Sequence, residues 1–68
     1  MIAVQSEALE TVEYDAAHRT LTLTFRSGGT YRYHDVDEGL YAELLSAQPH
    51  PWARVGSRVK AHRYTRTT

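Results

Sequence analysis

From Thr20 to Tyr33 the chain alternates between polar and apolar positions on either side of a Gly28-Gly29 pair. Leu21, Leu23 and Phe25 share one face of an extended segment, and Thr20, Thr22, Thr24 and Arg26 share the other. A period of two over this length predicts a half-buried strand, and β-branched threonine suits its outer surface. Tyr31-Arg32-Tyr33 continues the alternation after the glycines, so the two segments predict a β-hairpin. A two-residue Gly28-Gly29 loop would set both tyrosines on the threonine face. A three-residue Ser27–Gly29 loop would pair Phe25 with Tyr31 and Leu23 with Tyr33, gathering the large side chains on one face. The three-residue loop is the expected one, because a one-residue slip would take those rings out of a core that needs them.

Weaker patterns flank the hairpin. Val12 and Tyr14 face one way and Thr11, Glu13 and Asp15 the other, which predicts a strand over about residues 8–14. Asp15 then opens a polar turn by capping nearby amides. Residues 1–7 carry little pattern and are expected to stay outside the sheet. Val36, Leu40, Tyr41, Leu44 and Leu45 fall at helical spacing and predict a helix over about residues 37–47. Asp35 followed by Glu38 resembles a capping box with Asp35 as the cap. Gln48-Pro49-His50-Pro51 ends that helix, and Pro51 can open a short second one carrying Trp52, Val55 and Val59. Gly56 argues against more than two turns there. The expected fold is α+β: a three-stranded antiparallel meander (about 8–14, 20–26 and 30–34) packed by one helix. A short helix or turn and a basic C-terminal tail follow, in one domain over residues 1–68 with an ordered core at about 8–64.

Composition narrows the function classes. At 68 residues the core is near the lower limit for independent stability, so self-association or a partner is an expected contributor. There is no cysteine, hence no disulfide and no cysteine-type zinc site. No apolar run reaches the roughly 18 to 20 residues of a membrane helix, and a cytoplasmic protein without a membrane partner is expected. Formal net charge is zero but unevenly placed: residues 1–50 hold all eight acids and three arginines. Residues 51–68 hold Arg54, Arg58, Lys60, Arg63 and Arg66 with no acid. This basic end either folds back on the acidic body or faces a polyanion.

Candidate chemistry follows from these placements. His18, His34, His50 and His62 form no short-spaced pair, so no metal or cofactor is expected. A metal-independent nuclease would need a general base, a general acid and a cation for the developing phosphate charge. His62, Tyr64 and the arginines could supply these parts, but no spacing demands it, and no catalytic residue is assigned. Tyr31, Tyr33 and Trp52 beside Arg32, Arg54, Arg58, Lys60, Arg63 and Arg66 match another chemistry, in which aromatic rings stack bases and cations hold phosphates. The bland reading of the tyrosines is packing with a wet hydroxyl.

Tyr14-Asp15, Leu21-x-Leu23-x-Phe25-x-Ser27-Gly28 and the Tyr31-Arg32-Tyr33 centre together resemble the KTSC domain, named for its place at the C-terminus of some lysyl-tRNA synthetases. The resemblance runs from roughly Val4 to Tyr64 and includes Val36 and the Tyr41, Leu44, Leu45 helix. It departs where Gln48-Pro49-His50-Pro51 replaces a glycine step and Ala53, not asparagine, follows the aromatic Trp52. It places the family's Tyr-x-Tyr motif on Tyr31 and Tyr33 and implies RNA binding, through the link to a tRNA-charging enzyme. The expected function is a small non-enzymatic RNA-binding module; the alternative is a protein-interaction or self-association module that buries the tyrosine face and Trp52. If Tyr31 and Tyr33 are core residues, Tyr→Phe changes should fold normally in thermal melts. Tyr→Ala at either position should then cost roughly 3 to 5 kcal/mol, by analogy with buried Phe→Ala.

Overall fold

The computed structural model describes residues 2–4 and 6–67. Its chain order is β1 (Ile2–Ala3), β2 (Leu9–Asp15), β3 (Thr20–Phe25), β4 (Thr30–Tyr33), α1 (Glu38–Ser46), α2 (Pro51–Lys60) and β5 (Tyr64–Arg66). The strands form one antiparallel sheet in the order β1-β2-β3-β4-β5. The α+β class and the central meander are as expected, with two short edge strands added. Val4, in the segment expected to stand apart, is only 6% exposed, and its amide donates to the Glu10 carbonyl at 3.3 Å. The basic tail ends as β5, pairing Tyr64 with Tyr33 and Arg66 with Tyr31.

In the central hairpin, Leu21 lies opposite Tyr33 and Leu23 opposite Tyr31. The loop has three residues, but they are Arg26–Gly28 rather than Ser27–Gly29. The Phe25 amide donates to the Gly29 carbonyl at 3.1 Å, and the Gly28 amide donates to the Phe25 carbonyl at 3.0 Å. Gly28 takes the positive φ of 102° that closes such a loop. Arg26 is held by the opposite neighbour, which explains the displacement. Its amide donates to Ala8 at 2.9 Å and its Nε to the Ser6 carbonyl at 2.8 Å. Moving the loop by one residue moves the register by two, so every side chain keeps its expected face.

A bulge between Leu9 and Thr11 performs a similar correction in β2. It lets Leu9 join Val12 and Tyr14 on the inner face despite the odd spacing. Asp15 accepts from the amides of Ala17 and His18 at 3.1 and 3.3 Å, forming the expected turn. The inner face carries Leu9, Val12, Leu21, Leu23 and Tyr33, and both helices pack on it through Leu40, Leu44, Val55 and Val59. Burying each of these aliphatic side chains contributes about 1.5 to 3 kcal/mol. Thr20, Thr22, Thr24, Thr30 and Arg32 face the other way, on the side the helices leave open. Tyr14 bridges sheet and helix layer, stacking on Tyr41 at 4.8 Å and donating its hydroxyl to the Val36 carbonyl at 2.7 Å.

The helix ends differ from expectation in two respects. The cap of α1 is Asp37, which accepts from the Leu40 amide at 2.7 Å. Asp35 instead turns the chain with φ 58°, two residues too early to reach the orphan amides. Helix α2 runs for ten residues, past Gly56, because the Trp52 ring lies on that glycine. A Cβ at position 56 would sit 2.9 Å from Trp52 Cδ2. Gly56→Ala should therefore destabilise by about 1 to 3 kcal/mol through overpacking, outweighing a helix-propensity gain of about 1 kcal/mol. In a Trp52→Ala background the same change should stabilise. Urea titration of the four chains checks this, and stabilisation in both backgrounds would show that the ring yields freely.

Candidate nucleic-acid interface

Alternation puts Phe25 of β3, Tyr31 and Tyr33 of β4, and Tyr64 and Arg66 of β5 on the same side of the sheet as the helices. Trp52, Gly56 and Lys60 follow at intervals of four along α2 and so share one stripe of that helix. Where stripe and strands meet, the rings form a continuous cluster. Phe25 packs edge-on against both Trp52 at 5.1 Å and Tyr31 at 5.4 Å. Tyr64 lies 5.6 Å from Tyr31 and 5.7 Å from Tyr33, while Tyr31 and Tyr33 are 6.5 Å apart. Each such pair contributes about 0.5 to 1.5 kcal/mol beyond area burial. The cluster is graded in exposure: Tyr33 is 5% exposed, Tyr31, Phe25 and Trp52 are half-buried, and Tyr64 is 57% exposed.

Two cations lie against these rings. Lys60 Nζ is 5.8 Å from the centre of the Trp52 ring, and the Arg66 guanidinium is 5.4 Å from that of Tyr31. Between Trp52 and Tyr31, with Lys60 at the rim and Ser27 and Gly28 of the hairpin loop alongside, is an open pocket of about 260 Å³. Tyr33 forms part of its lining. Burial pushes the Tyr33 phenol above its ordinary pKa, and the neighbouring Tyr31 and Tyr64 add to the effect.

Of the residues expected to bind, the structure brings together Tyr31, Tyr33, Trp52, Lys60 and Arg66, and separates the rest. Arg32 is on the opposite, threonine-lined face, in a groove with Glu13, His18 and His34. Arg58 pairs with Glu43 of α1, and Arg54 lines the same inter-helix groove. Arg63 is 3.7 Å from Asp35. Exposed pairs of this kind stabilise by no more than about 1 kcal/mol, yet they place these cations beside acids and away from the rings. The basic segment thus partly folds back on the acidic body and partly joins the cluster. His62 lines a third groove, with Asp37 and Arg58. Among the described residues no group of three or more His, Asp or Glu side chains is placed to hold a metal ion. No helix among them is long and apolar enough to cross a membrane.

Two members of the cluster, Phe25 and Tyr64, were not foreseen as binding residues. Phe25 reads as plain core in its strand. Tyr64 carries one legible signal, the Tyr64-x-Arg66 spacing of two, which puts ring and cation on one strand face.

Deprotonating a buried phenol is unfavourable in the fold, so the raised Tyr33 pKa makes a contribution that is complete below the unfolded value near 10. It is lost as pH rises through the higher folded-state value. Stability followed by urea titration should fall above about pH 10, and Tyr33→Phe should flatten that fall. An unchanged slope in the variant would assign the alkaline loss to other groups.

The KTSC domain model matches residues 5–50, which includes β2, β3, β4 and α1. A relative from Tsukamurella paurometabola, described only as a protein, is 40% identical over 48 residues, covering 71% of this chain and 72% of that one. Phe25, Tyr31 and Tyr33 lie inside the family match, and Trp52, Lys60, Tyr64 and Arg66 lie beyond it.

Proposed function

The chain belongs to the KTSC domain family, and from its aromatic cluster we propose that it is a non-catalytic, cytoplasmic module that binds single-stranded RNA. The observation that carries this reading is the grouping of half-buried Tyr31 and exposed Tyr64, 5.6 Å apart, with Lys60 and Arg66 against neighbouring rings. Tyrosine faces accept any base by stacking, and adjacent cations accept the phosphates that connect successive bases. An unpaired strand can splay its bases onto such a surface, whereas a duplex keeps its bases stacked inside. The site residues of this reading are Tyr31, Tyr64, Trp52, Lys60 and Arg66, with Phe25 and Tyr33 supporting the rings from beneath.

Fluorescence titration of a single-stranded RNA oligomer against the whole chain tests the proposal. Two phosphate contacts predict a slope of log affinity on log salt of about −1.4. Tyr64→Ala should weaken binding by about 5- to 150-fold, since each stacked base contributes about 1 to 3 kcal/mol. Arg32→Ala, on the other face, should leave affinity unchanged. No binding at low salt would sink the proposal, and equal loss in both variants would move the site off the tyrosine cluster.

A further inference from the structure

The open pocket between Trp52 and Tyr31 differs in character from the exposed tyrosine surface beside it. Trp52 and Tyr31 stand at 80° and 85° to the Phe25 ring, with centroids 5.1 and 5.4 Å from it, so the pocket has aromatic borders on three sides. Its remaining borders are polar: Lys60 on α2, and Ser27 and Gly28 in the hairpin loop. A Cβ at Gly28 would meet no atom within 4 Å, so the loop leaves open space on that side. At about 260 Å³ the pocket is smaller than the roughly 300 to 1,000 Å³ of sites that enclose a whole drug-sized ligand. It suits one flat ring, with whatever is attached to that ring left outside. Aromatic walls alone would also suit an organic cation such as a methylated amine. The Lys60 ammonium, 5.8 Å from the Trp52 ring centre, repels that occupant and favours a ring whose edge carries acceptors.

On the basis of the RNA reading of this cluster, we propose that the pocket takes a single guanine base of the bound strand, selected by Lys60. Guanine alone among the four bases carries two adjacent acceptors, O6 and N7, and lysine or arginine on that pair is the commonest specific contact with a base. Adenine has an amino donor where guanine has O6, and cytosine has one where uracil has O4, so both turn a donor toward the ammonium. Uracil offers carbonyls without the adjacent N7, on a smaller ring. Stacking against Trp52 and Tyr31 does not separate the two purines, since every base has a π-face. The preference for guanine over adenine therefore belongs to Lys60. An ammonium has three donors, so Lys60 can hold a neighbouring phosphate and the base edge together. Tyr31 borders the pocket, and Tyr64 on the next strand lies 5.6 Å beyond it. A strand crossing the cluster thus sets one selected base in the pocket and stacks another on Tyr64 without regard to its identity.

Trp52 is the single tryptophan of the chain, so its fluorescence reports on the pocket directly. Titration of the whole chain with the four nucleoside monophosphates tests the proposal, because sugar and phosphate are the same in each. GMP should bind about 5- to 150-fold more tightly than AMP. 7-Deaza-GMP, with a CH group in place of N7, should lose part of that advantage. Lys60→Met keeps an apolar stem beside Trp52 and removes the ammonium, and it should bring the ratio of GMP to AMP affinity close to one. A Lys60 that served phosphate alone would weaken all four nucleotides alike and leave the ratio unchanged, which overturns the proposal. Equal binding of GMP and AMP by the unaltered chain overturns it as well, as does a Trp52 signal that responds to none of the four. If a single-stranded oligomer still binds through Tyr64 in those cases, the RNA reading stands without the pocket. A response to GMP with no oligomer binding at low salt would keep the guanine pocket and sink the strand.

Discussion

The pairing of Leu21 with Tyr33 and Leu23 with Tyr31 is the contact on which the rest of this fold depends. It puts four large side chains on one face of the sheet's central hairpin and leaves threonines and Arg32 on the other. Both helices must therefore pack on the same side, and the opposite side stays polar. A slip of one residue would invert this arrangement and remove the core altogether, since so small a chain has no second hydrophobic layer in reserve.

Two short helices do not cover the whole of that face. Leu40, Leu44, Val55 and Val59 close the core over β2 and β3, while the rings of Tyr31 and Tyr64 extend past the helices toward β5. Core and candidate site are thus one apolar surface, sealed at one end and open at the other. Tyr33 belongs to both: it is buried, yet it touches the exposed Tyr64. The opposition between packing and display that the tyrosines present in sequence resolves into a gradient. Trp52 takes part in the same way, since its ring rests on Gly56, packs against Phe25 and holds Lys60 over its face.

The distribution of cations has an equally local origin. Arg58 on α2 faces Glu43 on α1, and Arg63 stands beside Asp35 at the start of the last strand. Lys60 and Arg66 meet rings instead. Formal charge over residues 51–68 is +5, but only part of it is directed to the aromatic surface. The electrostatics of the interface follow from helix phase and strand parity more than from the net charge of the segment.

Features governed by local periodicity were legible in the chain itself. The alternation of β3 and β4, the stripe of α1 and the Asp15 turn could be read because each depends on residues a few positions apart. The face of Tyr31 and Tyr33 followed as well, because strand parity survives a two-residue shift in pairing. The family resemblance lay in those same segments. What sequence could not supply was anything decided by a distant partner. The hairpin loop moved by one residue because Ser6 and Ala8 hold Arg26. Asp37, not Asp35, caps α1 because the chain turns at Asp35 before the helix begins. The strands Ile2–Ala3 and Tyr64–Arg66 are too short to show a period and exist because a neighbouring strand offers them hydrogen bonds. For the same reason Tyr64 became part of the candidate site only through tertiary structure, which also set Arg66, a candidate on charge alone, against the Tyr31 ring. Two or three residues carry too little pattern to announce a strand, and pairing with β4 is what aims their side chains.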